Sequence, residues 1–165
     1  MRAAGVEPNN AIREPLMENY LHLDLYPEAQ EALAALAGHK LAILSNGNPR
    51  MLRELVRNSG LDRRIEAVIS VDSVRAYKPH PSCYGLVAPA LGVPKNEVLF
   101  VSSNSFDVAG AKAFGFEVAW IRRGGGGAPV NMFGMLRGRA EELGHAPDHT
   151  VSALTDLPEL LRARS

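Results

Sequence analysis

Cysteine is almost absent from this chain. Cys83 is the single one, so no internal disulfide can form, which suits a reducing cytoplasm. Its place in a helical pattern reads as a buried structural thiol. An excess of either charge is also lacking. Lysine plus arginine number 18 and aspartate plus glutamate 18, so there is no electrostatic footprint for nucleic acid or for an anionic membrane. Basic residues are not interleaved with aromatics. No apolar run is long enough to span a bilayer, and Met1–Pro8 has no apolar core of the kind a secretory leader needs. The five histidines are scattered, with no pair at metal-ligand spacing. The run Gly124–Gly127 lacks the lysine and hydroxyl that complete a phosphate-cradling loop, and reads as a flexible connection. The absence with most consequence is chemical. No early strand supplies an acidic nucleophile.

What is present is an ordinary globular composition, 46% hydrophobic and 22% charged. A chain of 165 residues can bury about 70% of its unfolded surface, enough for a real core. Residues 9–23 carry Ile12, Leu16, Met17, Tyr20 and Leu21 at helical spacing, with Pro15 marking a start near itself. A second helix begins after Pro27, with Ala29, Ala32, Leu33 and Leu36 as its stripe and Gly38 as its stop. Apolar runs at Leu41–Leu44, Ala67–Val71, Val98–Val101 and Val118–Ile121 read as buried strands. Between them lie helices over 49–59, 81–91 and 105–114, each followed by glycine. A helical piece around 132–143, a short strand at Thr150–Val151 and a terminal helix over 157–161 complete the reading. Strands alternating with helices imply a Rossmann-like parallel sheet covered on both faces. Such sheets bind ligands at the carboxyl ends of their strands.

Three polar clusters fall at those ends. Ser45 and Asn46 close the first strand beside a capped helix; they are either ordinary turn chemistry or a seat for an anionic group at a helix N-terminus. Lys78, in Tyr77-Lys78-Pro79, is either a solvated surface lysine or a cation that pins a carboxylate. Tyr84, six residues on, is either a core aromatic or a phenol facing the site. The third cluster, Ser102-Ser103-Asn104-Ser105-Phe106-Asp107, places Ser102, Asn104 and Asp107 between a buried strand and a helix. Three hydrogen-bonding side chains at one strand end point to a site, although Asp107 also suits a helix dipole.

Leu44-Ser45-Asn46-Gly47, Tyr77-Lys78-Pro79-His80 and Phe100-Val101-Ser102-Ser103-Asn104-Ser105-Phe106-Asp107, in that order, resemble the haloacid dehalogenase superfamily, and within it the type II L-2-haloacid dehalogenases. The likeness runs from about residue 17 to residue 161 and includes Ile69–Arg75. The third motif discriminates. Phosphatases of the superfamily usually carry Gly-Asp and further acids there to hold magnesium, whereas Ser102-Ser103-Asn104 offers none; an oxygen-rich magnesium site needs carboxylates. The resemblance therefore implies a metal-free, cofactor-free hydrolase that converts short 2-haloacids to 2-hydroxyacids through an aspartyl ester. It implies that Ser45 binds the substrate carboxylate, that Asn46 and Phe106 help form the halide cradle, and that Lys78 holds the nucleophilic carboxylate. Tyr84, Ser102 and Asn104 would order the site and its water. Asp107 would position Lys78 or activate that water. A homodimer and a cytoplasmic location fit the same resemblance. The other readings are a pseudoenzyme that binds a small carboxylate or a protein, and a phosphatase of the same superfamily.

Two parts of the family pattern have no counterpart: the Asp-x-Tyr-Gly-Thr segment that bears the nucleophile, and the halide-binding arginine. Arg2 and Arg13 lie in surroundings that do not match. Residues 1–24 look like the end of a helical cap and residues 25–165 like the α/β core, with a late start or a truncated gene as the explanation. In the superfamily the nucleophile strand is central, between the strands ending at Ser45 and Ser102. The chain is therefore expected to be inactive. It should also leave two strand edges open inside the sheet, where each unpaired buried backbone group costs about 1–3 kcal/mol. Poor stability, or abnormal pairing across the gap, should follow.

Overall fold

The computed structural model describes residues 10–123 and 144–163. The expected glycine-rich connection at 124–127 and helix at 132–143 lie outside the described residues. In chain order the elements are α1 (Asn10–Tyr20), α2 (Ala29–Ala35), β1 (Ala42–Ser45), α3 (Pro49–Asn58), β2 (Ala67–Ser70), α4 (Pro81–Tyr84), α5 (Val87–Leu91), β3 (Leu99–Ser102), α6 (Ser105–Phe114), β4 (Glu117–Ile121), β5 (His149–Val151) and α7 (Leu157–Arg162). Alternation of strands and helices is as the periodicity dictates.

Local chemistry fixes the boundaries. The Asn48 side chain accepts from Met51 N at 2.9 Å, and Pro49 occupies the first helical turn, where its missing N–H costs nothing. Leu52 and Val56, one turn apart, are the buried residues of α3. Gly60 and Gly115 follow α3 and α6 with positive φ, the left-handed stop that glycine adopts without strain. Two expectations fail at proline. The helix expected over 81–91 is broken into α4 and α5, because Pro89 cannot donate to the carbonyl of Gly85 and its ring crowds that turn. Pro15 lies inside α1 rather than at its start.

Among the described residues all strand pairing is parallel. β1 pairs with β2, Ala42 opposite Ala67 and Ser45 opposite Ser70. β3 pairs with β4, Leu99 opposite Glu117, and β4 with β5, Ala119 opposite His149. The two sheets are not joined: among the described residues the strand orders are β1-β2 and β3-β4-β5. The expected break beside the strand ending at Ser45 is therefore present, and β1 and β3 do not close it by pairing with each other.

Side chains hold the halves together instead. Tyr84, Val108, Phe116, Val118 and Trp120 are buried in one cluster, against which Ala42, Leu44, Ala67 and Ile69 of the β1–β2 half pack. Tyr84 meets Phe100 edge-on at 5.5 Å, and Phe100 stacks on Phe116 at 6.0 Å. Each such buried side chain contributes about 1.5–3 kcal/mol. Cys83 is fully buried, as its helical setting suggests. No helix of the described residues is long and apolar enough to cross a membrane.

Candidate active site

Between β1 and β3 runs a groove of about 780 Å³, walled by Ala42–Leu44 on one side and Leu99–Val101 on the other, with Lys78, Ser102, Asn104 and Asp107 among its lining. The backbone of β1 explains its chemistry. Leu41 O accepts from Glu66 N at 2.8 Å on the β2 side. Strand alternation then turns the carbonyl of Leu44 to the opposite edge. There it accepts from Lys78 Nζ at 3.0 Å.

Asp107 is the hub. It stands in the first turn of α6 and is 3% exposed. Its Oδ2 receives Lys78 Nζ at 2.7 Å and Ser102 Oγ at 3.3 Å, and its Oδ1 receives Tyr84 Oη at 2.8 Å. A buried carboxylate is tolerable only with such complete partnering. Burial, then the charge of Asp107 and the bond to it, push the Tyr84 phenol up from its ordinary value, so it stays a proton donor in the neutral range. Lys78 spends two of three N–H groups on Leu44 and Asp107. One remains for an anion arriving from the groove.

The sequence-expected residues divide accordingly. Lys78, Asp107, Tyr84 and Ser102 form one hydrogen-bonded network. Asn46 joins it through the backbone, its Oδ1 accepting from Lys78 N at 2.9 Å. Asn104 lines the groove, and its N–H donates to Ser102 Oγ at 3.2 Å. Ser45 stands outside the network. Its Oγ accepts from Gly47 N at 3.0 Å, a turn bond of the kind its position also allows. Phe106 is 42% exposed beside the first turn of α6. Ser70, at the end of β2, braces the same turn by donating to Gly47 O at 2.7 Å. Three contributors escape a reading of motifs: the carbonyl of Leu44, Ser70, and Gly110, whose missing side chain makes room for Tyr84. Only Ser70 leaves a signal, as a third serine closing an apolar strand. Among the described residues no three His, Cys, Asp or Glu side chains converge as metal ligands would.

With that geometry in hand, the chain can be placed. The model of the haloacid dehalogenase-like hydrolases matches residues 3–115, and a second HAD-hydrolase-like model matches residues 76–157. The chain belongs to the haloacid dehalogenase-like hydrolases, on the core fold they share. It is 50% identical to an (S)-2-haloacid dehalogenase of Xanthobacter autotrophicus over 169 residues, covering 96% of this chain and 67% of that protein. It is 46% identical to haloacetate dehalogenase H-2 of a Moraxella strain, covering 88% of this chain and 61% of the relative. The structure superposes on the L-2-haloacid dehalogenase of X. autotrophicus with chloropropionic acid covalently bound. There the TM-score is 0.88 at 48% identity, over 99% of this chain and 71% of that one. The chain thus spans about two thirds of the length of the relatives it matches.

Proposed function

We propose that this chain is the larger part of a hydrolase that dehalogenates short 2-haloacids. The observation that carries the reading is the Lys78 ammonium, held by Leu44 O and Asp107 Oδ2 at the head of the groove with one donor left. The reaction needs a carboxylate there. That carboxylate attacks C2 of the haloacid in line with the carbon–halogen bond; the new C–O bond forms as halide leaves with the bonding pair, and C2 inverts. Water then adds to the acyl carbon of the ester, releasing the 2-hydroxyacid and restoring the carboxylate. Lys78 orients the attacking oxygens and limits their freedom.

Asp107 cannot be the attacking group, because both its oxygens are engaged and it is buried. It acts by positioning Lys78. The other acids lining the groove, Asp24 and Glu97, are exposed. Among the described residues no groove acid is placed to attack, and the resemblance to the type II L-2-haloacid dehalogenases implies an aspartate on a strand absent from this sequence, which the groove between β1 and β3 would receive. Ser45 and Asn46 are assigned to the substrate carboxylate and halide, and Phe106 to the halide's apolar wall. Ser102, Asn104 and Tyr84 order the site and its water. Residues up to 24 form the end of a helical cap; this reading is supported by the exposed apolar side chains Leu16, Met17 and Tyr20 of α1.

The test is halide release from L-2-chloropropionate. The 165-residue chain is expected to release none. The same chain joined to an N-terminal segment with an aspartate-bearing apolar strand is expected to release chloride and yield inverted lactate. Release by the unextended chain would end the claim that the nucleophile lies elsewhere. Magnesium-dependent phosphate release by the extended protein, without dehalogenation, would make it a phosphatase. That alternative has a structural relative in the HAD phosphatase of Thermococcus onnurineus, TM-score 0.68 at 30% identity.

A further inference from the structure

We propose that Gly110 is a positioning residue of this site: its missing side chain lets Tyr84 and Pro79 close on α6, and so sets the Tyr84–Asp107–Lys78 chain. The inference rests on the dehalogenase reading only for the use to which that chain is put.

Gly110 sits in the middle of α6, where glycine is the costly choice relative to alanine. It lies one turn after Asp107, so the two share a face. A Cβ built on it would stand 2.5 Å from Tyr84 Oη, 3.1 Å from Tyr84 Cζ and 2.6 Å from Pro79 Cβ. The first and the third are shorter than real Cβ contacts, and the second is tighter than most. The first belongs to the phenol that donates to Asp107 Oδ1 at 2.8 Å. The third belongs to the residue joined directly to Lys78, the other partner of Asp107. One side-chain deletion thus gives room to both arms that grip the carboxylate. Tyr84 has little freedom to retreat, being fully buried against Phe100 and Phe114. An added methyl must therefore move the phenol, the helix or the Lys78-Pro79 segment, each of which lengthens a bond to Asp107. Gly85 provides the contrast. A Cβ there would meet its nearest atom, Ser82 O, at 3.5 Å, an ordinary contact.

The test is a double-mutant cycle of urea-unfolding midpoints in the 165-residue chain, which needs neither substrate nor nucleophile. Tyr84→Phe alone removes the bond to Asp107 Oδ1 and is expected to lower the midpoint. In the Gly110→Ala background, where that bond is already lengthened, the same change is expected to lower it clearly less. In the Gly85→Ala background it is expected to act as in the parent. Additive effects of Gly110→Ala and Tyr84→Phe, or equal coupling with Gly85→Ala, overturn the proposal. If Gly110→Ala does not fold, the variant Gly110→Ala/Tyr84→Phe/Pro79→Gly, which relieves both close approaches, decides: recovery of folding supports the clash, and equal failure overturns it. Failure of the dehalogenase reading would leave the cycle untouched.

Discussion

The two halves of the sheet solve different problems. In the β3–β4–β5 half, Val118, Ala119, Trp120 and Ile121 form an unbroken buried run along β4, the pattern of a strand covered on both faces. In the β1–β2 half every strand residue is only half-buried, although Ala42–Leu44 and Ala67–Ile69 are just as apolar. The difference lies in the neighbours. β4 is paired on both edges, whereas β1 has β2 on one side and a groove on the other. Among the described residues no backbone ladder ties the halves together. A few side chains do so, and the Lys78–Asp107 pair, at 2.7 Å and largely buried, is the polar fastener among them.

The comparison would break most visibly at that fastener. Asp107→Ala is expected to destabilise the chain by about 3–5 kcal/mol, because Lys78 is left buried without its partner; urea unfolding measures it. A loss below about 1 kcal/mol, the scale of an exposed ion pair, would mean that the halves are joined by something else. Truncating matched isoleucines sharpens the contrast. Ile121→Ala, in the fully paired half, should cost about 2–5 kcal/mol, as for other buried aliphatics. Ile69→Ala should cost clearly less, since its surroundings are already partly open. Equal losses would remove the distinction. A smaller effect belongs to local structure: Asn48→Ala should cost about 1 kcal/mol through loss of the α3 cap, read from the unfolding midpoint. The smallest effect is a pH dependence at β5. Burial tends to raise the Asp148 carboxyl, but the Lys112 ammonium, the Val118 N–H and His149 outweigh it and hold it below its ordinary value. A lowered folded-state value means stability present above the unfolded value of about 4 and lost as pH falls through the folded one. Both partners are about a third exposed, so the loss should stay under about 0.5 kcal/mol. Asp148→Asn should abolish that dependence in acid titrations of stability.

Much of this architecture was legible in the residues. Strand positions followed from the apolar runs, shifted by a residue at most ends, and the α3 cap from Asn48-Pro49. The network of Lys78, Tyr84, Ser102 and Asp107 was legible only as separate polar clusters at strand ends, because nothing local says which clusters face each other. Three things were not legible. Pro89 interrupts its helix one turn upstream, whereas Pro15 sits inside an unbroken α1, and the residue type alone does not separate the two. Leu44 enters the site by its carbonyl, which every residue possesses, so only the strand's alternation reveals it. Gly110 is similar: a missing side chain has meaning only once its neighbours are placed.

Trp120 is the one tryptophan of the chain. It is 2% exposed, its indole N–H donates to Ser103 O at 3.4 Å, and the Arg122 guanidinium lies 4.7 Å from its ring. Ser103 belongs to the loop that leads from Ser102 to Asp107. The protein thus carries a built-in optical probe wired to its own chemistry. A displacement of that loop, whether by a small acid or by an incoming polypeptide segment, would register in the emission of a single fluorophore without any label.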